Sequence, residues 1–137
     1  MAEHIRKTDY FSVQVSNRAG EGARLMAALR DHGVNLLAFT GFPNGAKAQV
    51  DFVPENSAAL RRAAKQMKLD LGKRKTVFLL QGEDRIGALA GVLAKLAAAR
   101  INVTAMDAVT AGEGRYGAIF WVKPKNVARA ARLIGAR

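Results

Sequence analysis

The stretch GEDRIGALAGVLAKLAAARINV, Gly82–Val103, sets a charged glycine turn before a helical apolar pattern and then a β-branched return into a strand. A weaker copy, SNRAGEGARLMAALRDHGVNL, runs from Ser16 to Leu36. A slide of 67 positions pairs Arg18 with Arg85, Gly20 with Gly87, Ala23 with Ala90, Ala27 with Ala94, Leu29 with Leu96 and Asn35 with Asn102. Pro54 and Asn56 stand 70 residues before Pro124 and Asn126, which puts the extra residues between the second strand and the second helix of the later copy. Self-similarity on this scale implies two related units in tandem, residues 1–72 and 73–137.

Outward from the two turns, the strands follow. Tyr10–Ser16, YFSVQVS, alternates Phe11, Val13 and Val15 with polar residues, the period of a strand with one wetted face. Its counterpart TVFLLQ, Thr76–Gln81, is apolar on both faces, so its outer side is expected to be covered by sheet pairing within the chain or in a homodimer. Leu89, Val92, Leu93 and Leu96 keep helical spacing, as do Leu25, Met26 and Leu29. VNLLAFTGF and INVTAMDAV read as second strands, and KAQVDFV and YGAIFWV as third strands, with hairpin turns at PNG and AGEG. A proline, a capping asparagine and a second helix close each unit, on Leu60, Ala63, Ala64 and Met67 or on Val127, Ala130, Ala131 and Ile134.

The order β-α-β-β-α occurs twice, and KLDL, Lys68–Leu71, offers the first unit a fourth strand. The fold class is therefore α+β: two tandem ferredoxin-like βαββαβ units with antiparallel sheets and helices on one face. After the second copy only GAR remains, so its final sheet edge is either left open or completed by another segment or chain.

Composition bounds the function. The chain has 137 residues, half of them hydrophobic, and no cysteine, which excludes disulfides, thiolate nucleophiles and cysteine-ligated zinc. The charged start MAEHIRKTDYF has no signal-peptide core, and the longest apolar run, Ile86–Ala94, is too short to span a bilayer; a soluble cytoplasmic protein with no membrane partner is expected. The net charge of +11, concentrated in LRRAAKQMK, GKRK and the C-terminal KPKNVARAARLIGAR, attracts polyanions, but the favoured reading is that Arg61, Arg62, Lys65 and Lys68 are the solvated face of a helix.

A glycine turn entering a helix leaves backbone N–H groups aimed at the turn, and the helix dipole adds positive potential, so a carboxylate docked there gains roughly 0.3–2 kcal/mol. Gly87 admits a ligand close to the backbone, Asp84 offers a partner for an ammonium group, and Asn102 both donates and accepts. Together these suit a free amino acid or a similar small zwitterion. Arg18 and Arg85, at equivalent turn positions, are candidates to grip an anionic group. The plainer reading stays open for each residue: Gly20 and Gly87 shaping helix starts, Asn17 and Asp84 capping them, Asn35 and Asn102 bonding their own backbone.

EDRIGALAGVLAKLAAARINV resembles the ACT domain, a small-molecule-binding regulatory module, in its acidic residue, turn glycine, small-apolar helix start and Ile-Asn-Val strand entry. The resemblance covers nearly the whole chain as two copies. It implies a ligand site made by Asp84, Arg85, Ile86, Gly87, Ala88 and Asn102, and a second made by Asn17, Arg18, Ala19, Gly20 and Asn35. In similar proteins the ligand sits between paired modules. The family often has proline where this chain has Ala19 and Ile86, and the first copy has Gly22 where the second has Leu89, which makes the second site the stronger candidate. With no fused catalytic domain, the controlled enzyme or transcription factor is expected to be a separate protein.

The rival reading is a basic ferredoxin-like RNA-binding protein, because VFLLQG and GRYGAIFWV mimic the strands of an RNA-recognition motif. Tyr116 and Phe120 share a face there, but Ala118 separates them and Trp121 points away. Nucleic acid therefore ranks below the amino acid as a partner. Catalysis ranks lower still: His4, in an N-terminus expected to be loose, and His32, near a helix end, read as surface residues, no nucleophile elbow or phosphate loop is present, and the acidic residues form no chelating cluster. A non-catalytic protein without metal or cofactor is expected.

Overall fold

A computed structural model describes residues 3–137. Six strands and four α-helices follow one another: β1 His4–Ser16, α1 Glu21–Asp31, β2 Leu36–Asn44, β3 Lys47–Pro54, α2 Ser57–Gln66, β4 Lys75–Glu83, α3 Ala90–Ala98, β5 Val103–Gly112, β6 Arg115–Val122 and α4 Val127–Ile134. The class is α+β with antiparallel pairing, and the β-α-β-β-α order occurs twice as the repeat demands. One compact unit is Asp9–Lys75; the other is Thr76–Arg137 together with the N-terminal stretch ending at Thr8.

In the Asp9–Lys75 unit the strands lie in the order β2-β3-β1, with Phe11 opposite Phe52 and Val13 opposite Val50. These side chains, with Leu25 and Leu29 of α1 and Leu60 and Ala63 of α2, make the core. In the Thr76–Arg137 unit Phe78 lies opposite Phe120, their rings stacked at 5.0 Å and 15°, over Val92, Leu96, Ala130 and Ile134. Phe11 and Phe78 are 67 residues apart, so each unit is built around the same aromatic pair. The backbone repeats as faithfully: Gly33 and Arg100 end α1 and α3 in the left-handed region, with φ of +69° and +59°.

The strand missing from the second unit is supplied by the chain's own N-terminal segment. β1 begins at His4, not at Tyr10, and its first residues lie beside β4 as the fourth strand of that unit. Arg137 is pinned to the same segment: its N–H donates to the Ile5 carbonyl at 3.2 Å and its carbonyl accepts from the Lys7 N–H at 2.8 Å. HIRKTD lacks the apolar alternation of a half-buried strand because its exposed charges suit a position at the margin of a sheet. His4, expected outside any strand, therefore opens one.

KLDL forms no strand. Lys68 turns the chain at φ +56°, the Leu71 N–H closes back on the Leu69 carbonyl, and only Gly72 reaches β1, donating to the Ser12 carbonyl at 2.9 Å. Leu69 and Leu71 instead pack against the first core. The two asparagines also part company: the Asn56 side chain accepts from the Ala59 N–H at 3.0 Å and caps α2, whereas Asn126 closes a single 3-10 turn, Pro124–Asn126, without capping α4. On the outer side of β4, Val77 and Leu79 are buried in the single chain, as are Ile119 and Trp121 of β6.

Candidate functional site

β1 ends at Ser16, and the turn Asn17–Gly20 delivers the chain into α1. The Asn17 N–H donates to the Ala46 carbonyl at 3.1 Å, Arg18 and Glu21 close the turn through backbone bonds, and Gly20 takes φ +92°, which a side chain would oppose. No side chain caps α1. Beside this turn opens a groove of about 510 Å³, within the size range of small-molecule sites. It is lined by Gln14, Ser16 and Arg18 from β1 and the turn, Glu21 and Arg24 from α1, Lys47 from β3, and Lys68 and Asp70 from the segment after α2. A smaller hollow of about 220 Å³ shares Gln14 and Asp70 and extends along β1 to Ser12 and Gly72.

The charges in the groove are partly self-compensated. Glu21 is held by Arg24 at 2.9 Å and by Arg18 at 3.7 Å, and the Arg24 hydrogen bond keeps its carboxyl below the ordinary carboxylate range. Among the described residues Lys47, Lys68 and Asp70 make no ion pair. From the sheet, a relay of side chains reaches the groove. Ser12 Oγ donates to Asp51 Oδ1 at 2.6 Å, Gln49 Nε2 donates to the same oxygen at 3.0 Å, and Gln14 Nε2 donates to Gln49 Oε1 at 3.1 Å. Asp51 is the buried charged residue of the described chain, so these donors compensate its desolvation.

The second turn is arranged differently. The Asp84 N–H donates to the Gly114 carbonyl at 2.8 Å, Gly87 takes φ +71°, and α3 begins uncapped at Ala90. Asp84, Arg85, Gly87 and Asn102 are exposed, Ile86 stands fully in solvent and Ala88 is half-buried. Arg85 approaches the Glu3 carboxylate at 3.9 Å, and the same carboxylate accepts a 2.5 Å hydrogen bond from Tyr116. An internal acid thus already sits beside the arginine of this turn.

Of the residues singled out from the sequence, Arg18 lines the groove, while Asn17, Ala19 and Gly20 form the exposed turn next to it. Asn35 is exposed and engaged with Glu55, whose N–H donates to the Asn35 carbonyl at 2.9 Å. Glu21, Arg24, Lys47, Lys68 and Asp70 were not legible as site residues, since they come from α1, β3 and the segment after α2, and Lys68 reads as one more cation on a helix. The aromatics that mimic an RNA platform are in the core: Tyr116 is 5% exposed and Phe120 0%. Among the described residues no group of histidine, aspartate and glutamate has the arrangement of a metal site, and no helix is long and apolar enough to cross a membrane.

No family model and no curated protein matches the chain. Solved structures do. Protein BT0572 from Bacteroides thetaiotaomicron superposes with a TM-score of 0.82 at 17% identity, over 96% of this chain and 88% of that one. The regulatory subunit of aspartate kinase from Thermus thermophilus, in its ligand-free form, gives 0.64 at 11% identity over 98% and 96%, and that from Thermus flavus 0.59 at 15% over 98% and 94%. At these identities the likeness is one of fold.

Proposed function

We propose that this chain is a non-catalytic regulatory protein of two ACT-type modules that binds a free amino acid or similar small zwitterion and passes its occupancy to an enzyme or transcription factor. The observation that carries this reading is the groove at the Arg18 turn, where cations and a free carboxylate line one ligand-sized space. A zwitterion needs both signs within a few ångströms, and Arg18, Lys47 and Lys68 offer cations and Asp70 a carboxylate along one groove. The shared fold with regulatory subunits of aspartate kinase adds support. This reading favours the first turn, where the groove lies, over the second, the stronger candidate from sequence, where Arg85 already stands beside Glu3. Signalling requires a ligand that binds two states of the protein unequally, and a homodimer would offer such states.

A thermal-shift screen of the full chain against the common amino acids tests the reading. A ligand at one hundred times its Kd stabilises by about 2.7 kcal/mol, a shift of several degrees. Stabilisation by one amino acid, lost in Arg18→Ala and retained in Asp84→Ala, is the expected outcome. No stabilisation by any amino acid overturns the reading.

A further inference from the structure

Resting on that reading, we infer that the groove at the Arg18 turn selects an amino acid with an acidic side chain, its two carboxylates held by Arg18, Lys47 and Lys68 and its ammonium by Asp70. The argument is one of charge left over after internal pairing. Glu21 is committed to Arg24, through two hydrogen bonds at 2.9 and 3.4 Å, and also lies 3.7 Å from Arg18. One carboxylate shared by two guanidiniums leaves the pair with a net positive charge. Lys47 and Lys68 add two further cations with no acidic partner among the described residues, and the one uncommitted acid lining the groove is Asp70. A neutral amino acid compensates one cation and one anion and leaves the rest of this excess facing itself. An acidic one supplies a second carboxylate and lowers the excess from two positive charges to one.

A cationic side chain is disfavoured by the same arithmetic, because it would add charge of the sign already in excess. The groove is open to water, so each exposed pair contributes modestly and is weakened by salt. Discrimination of roughly five- to tenfold between an acid and its uncharged amide is the scale such pairs allow, a tenfold ratio corresponding to about 1.4 kcal/mol. The position of Lys68 follows from the fold: its left-handed backbone, φ +56°, ends α2 and directs the chain through Leu69, which packs against the core, to Asp70, so the lysine and the aspartate line one groove.

Isothermal titration calorimetry of the full chain with L-glutamate, L-glutamine, L-aspartate, L-asparagine, L-lysine, glutarate and inorganic phosphate tests the inference. Each acid is expected to bind about five- to tenfold tighter than its amide, with the ratio shrinking as salt rises, and lysine is expected to bind more weakly than any of them. Lys47→Gln with Lys68→Gln, both exposed positions that leave the core intact, should bring the glutamate-to-glutamine ratio towards one. Asp70→Asn should remove the advantage of glutamate over glutarate. Amides binding as well as acids overturn the inference while the amino-acid reading survives. Phosphate or glutarate binding as tightly as glutamate overturns it by showing a general anion groove. Binding by none of the seven overturns both.

Discussion

The Tyr116 hydroxyl donates a 2.5 Å hydrogen bond to the Glu3 carboxylate, joining residues 113 positions apart in sequence. The bond ties the N-terminal segment to β6, two strands of the same unit that β4 separates. It is charge-assisted and its phenol is buried, so Tyr116→Phe is expected to cost about 1–2 kcal/mol, read as a lower urea midpoint at unchanged slope. Arg85→Ala, removing a partner 3.9 Å away and exposed, should cost under about 0.5 kcal/mol.

The same bond has a pH signature. Burial, then the Glu3 hydrogen bond, pushes the Tyr116 phenol up to about 12, above its unfolded value near 10. A group whose folded value is raised stabilises fully below the unfolded value and loses that contribution as pH rises through the folded one. Stability should therefore fall between about pH 10 and 12, and less steeply in Tyr116→Phe. Phenolate absorbance in the wild type should develop late for both tyrosines, since burial and the Asp51 charge also raise Tyr10.

Removing residues 1–8 should expose the edge of β4 that the N-terminal segment pairs with. Unpaired edges aggregate. The truncated chain is expected to lose more stability than Tyr116→Phe does and to sediment as larger species, while a truncation that leaves both properties unchanged would show that the fourth strand contributes nothing.

Asn56→Ala should cost about 1 kcal/mol through loss of the cap on α2. Asn126→Ala, lacking such a bond, should stay within about 0.5 kcal/mol. Paired thermal melts of the two variants check the difference.

Phe78→Ala and Phe11→Ala each empty a fully buried aromatic site and are expected to cost about 3–5 kcal/mol. Phe42→Ala, at a side chain 46% exposed, should cost under about 1 kcal/mol. Denaturant titration of the three variants side by side separates core from surface.

Much of the fold was readable in order. The helical stripes of Leu25 and Leu29, and of Val92 and Leu96, fell on buried faces, and both hairpins formed where glycine turns stood. Pro54 with Asn56 and Pro124 with Asn126 misled, because a shared dipeptide pattern does not oblige the same cap geometry. At the candidate site Arg18 was legible from its place in the repeat. Lys47, Lys68 and Asp70 were not, since nothing local marks residues from different elements as neighbours.

The local pattern alone determined that there are two units, that each runs β-α-β-β-α, and that each turn after the first strand enters a helix through glycine. Periodicity and backbone preference act over a few residues, and a duplicated stretch carries them twice. Tertiary structure decided which segment completes the second sheet, that Tyr116 and Phe120 belong to a core, and that a groove of mixed charge opens at the first turn. Those outcomes depend on pairing and burial between residues far apart in sequence, where a polar stretch such as HIRKTD becomes a strand because β4 offers it hydrogen bonds.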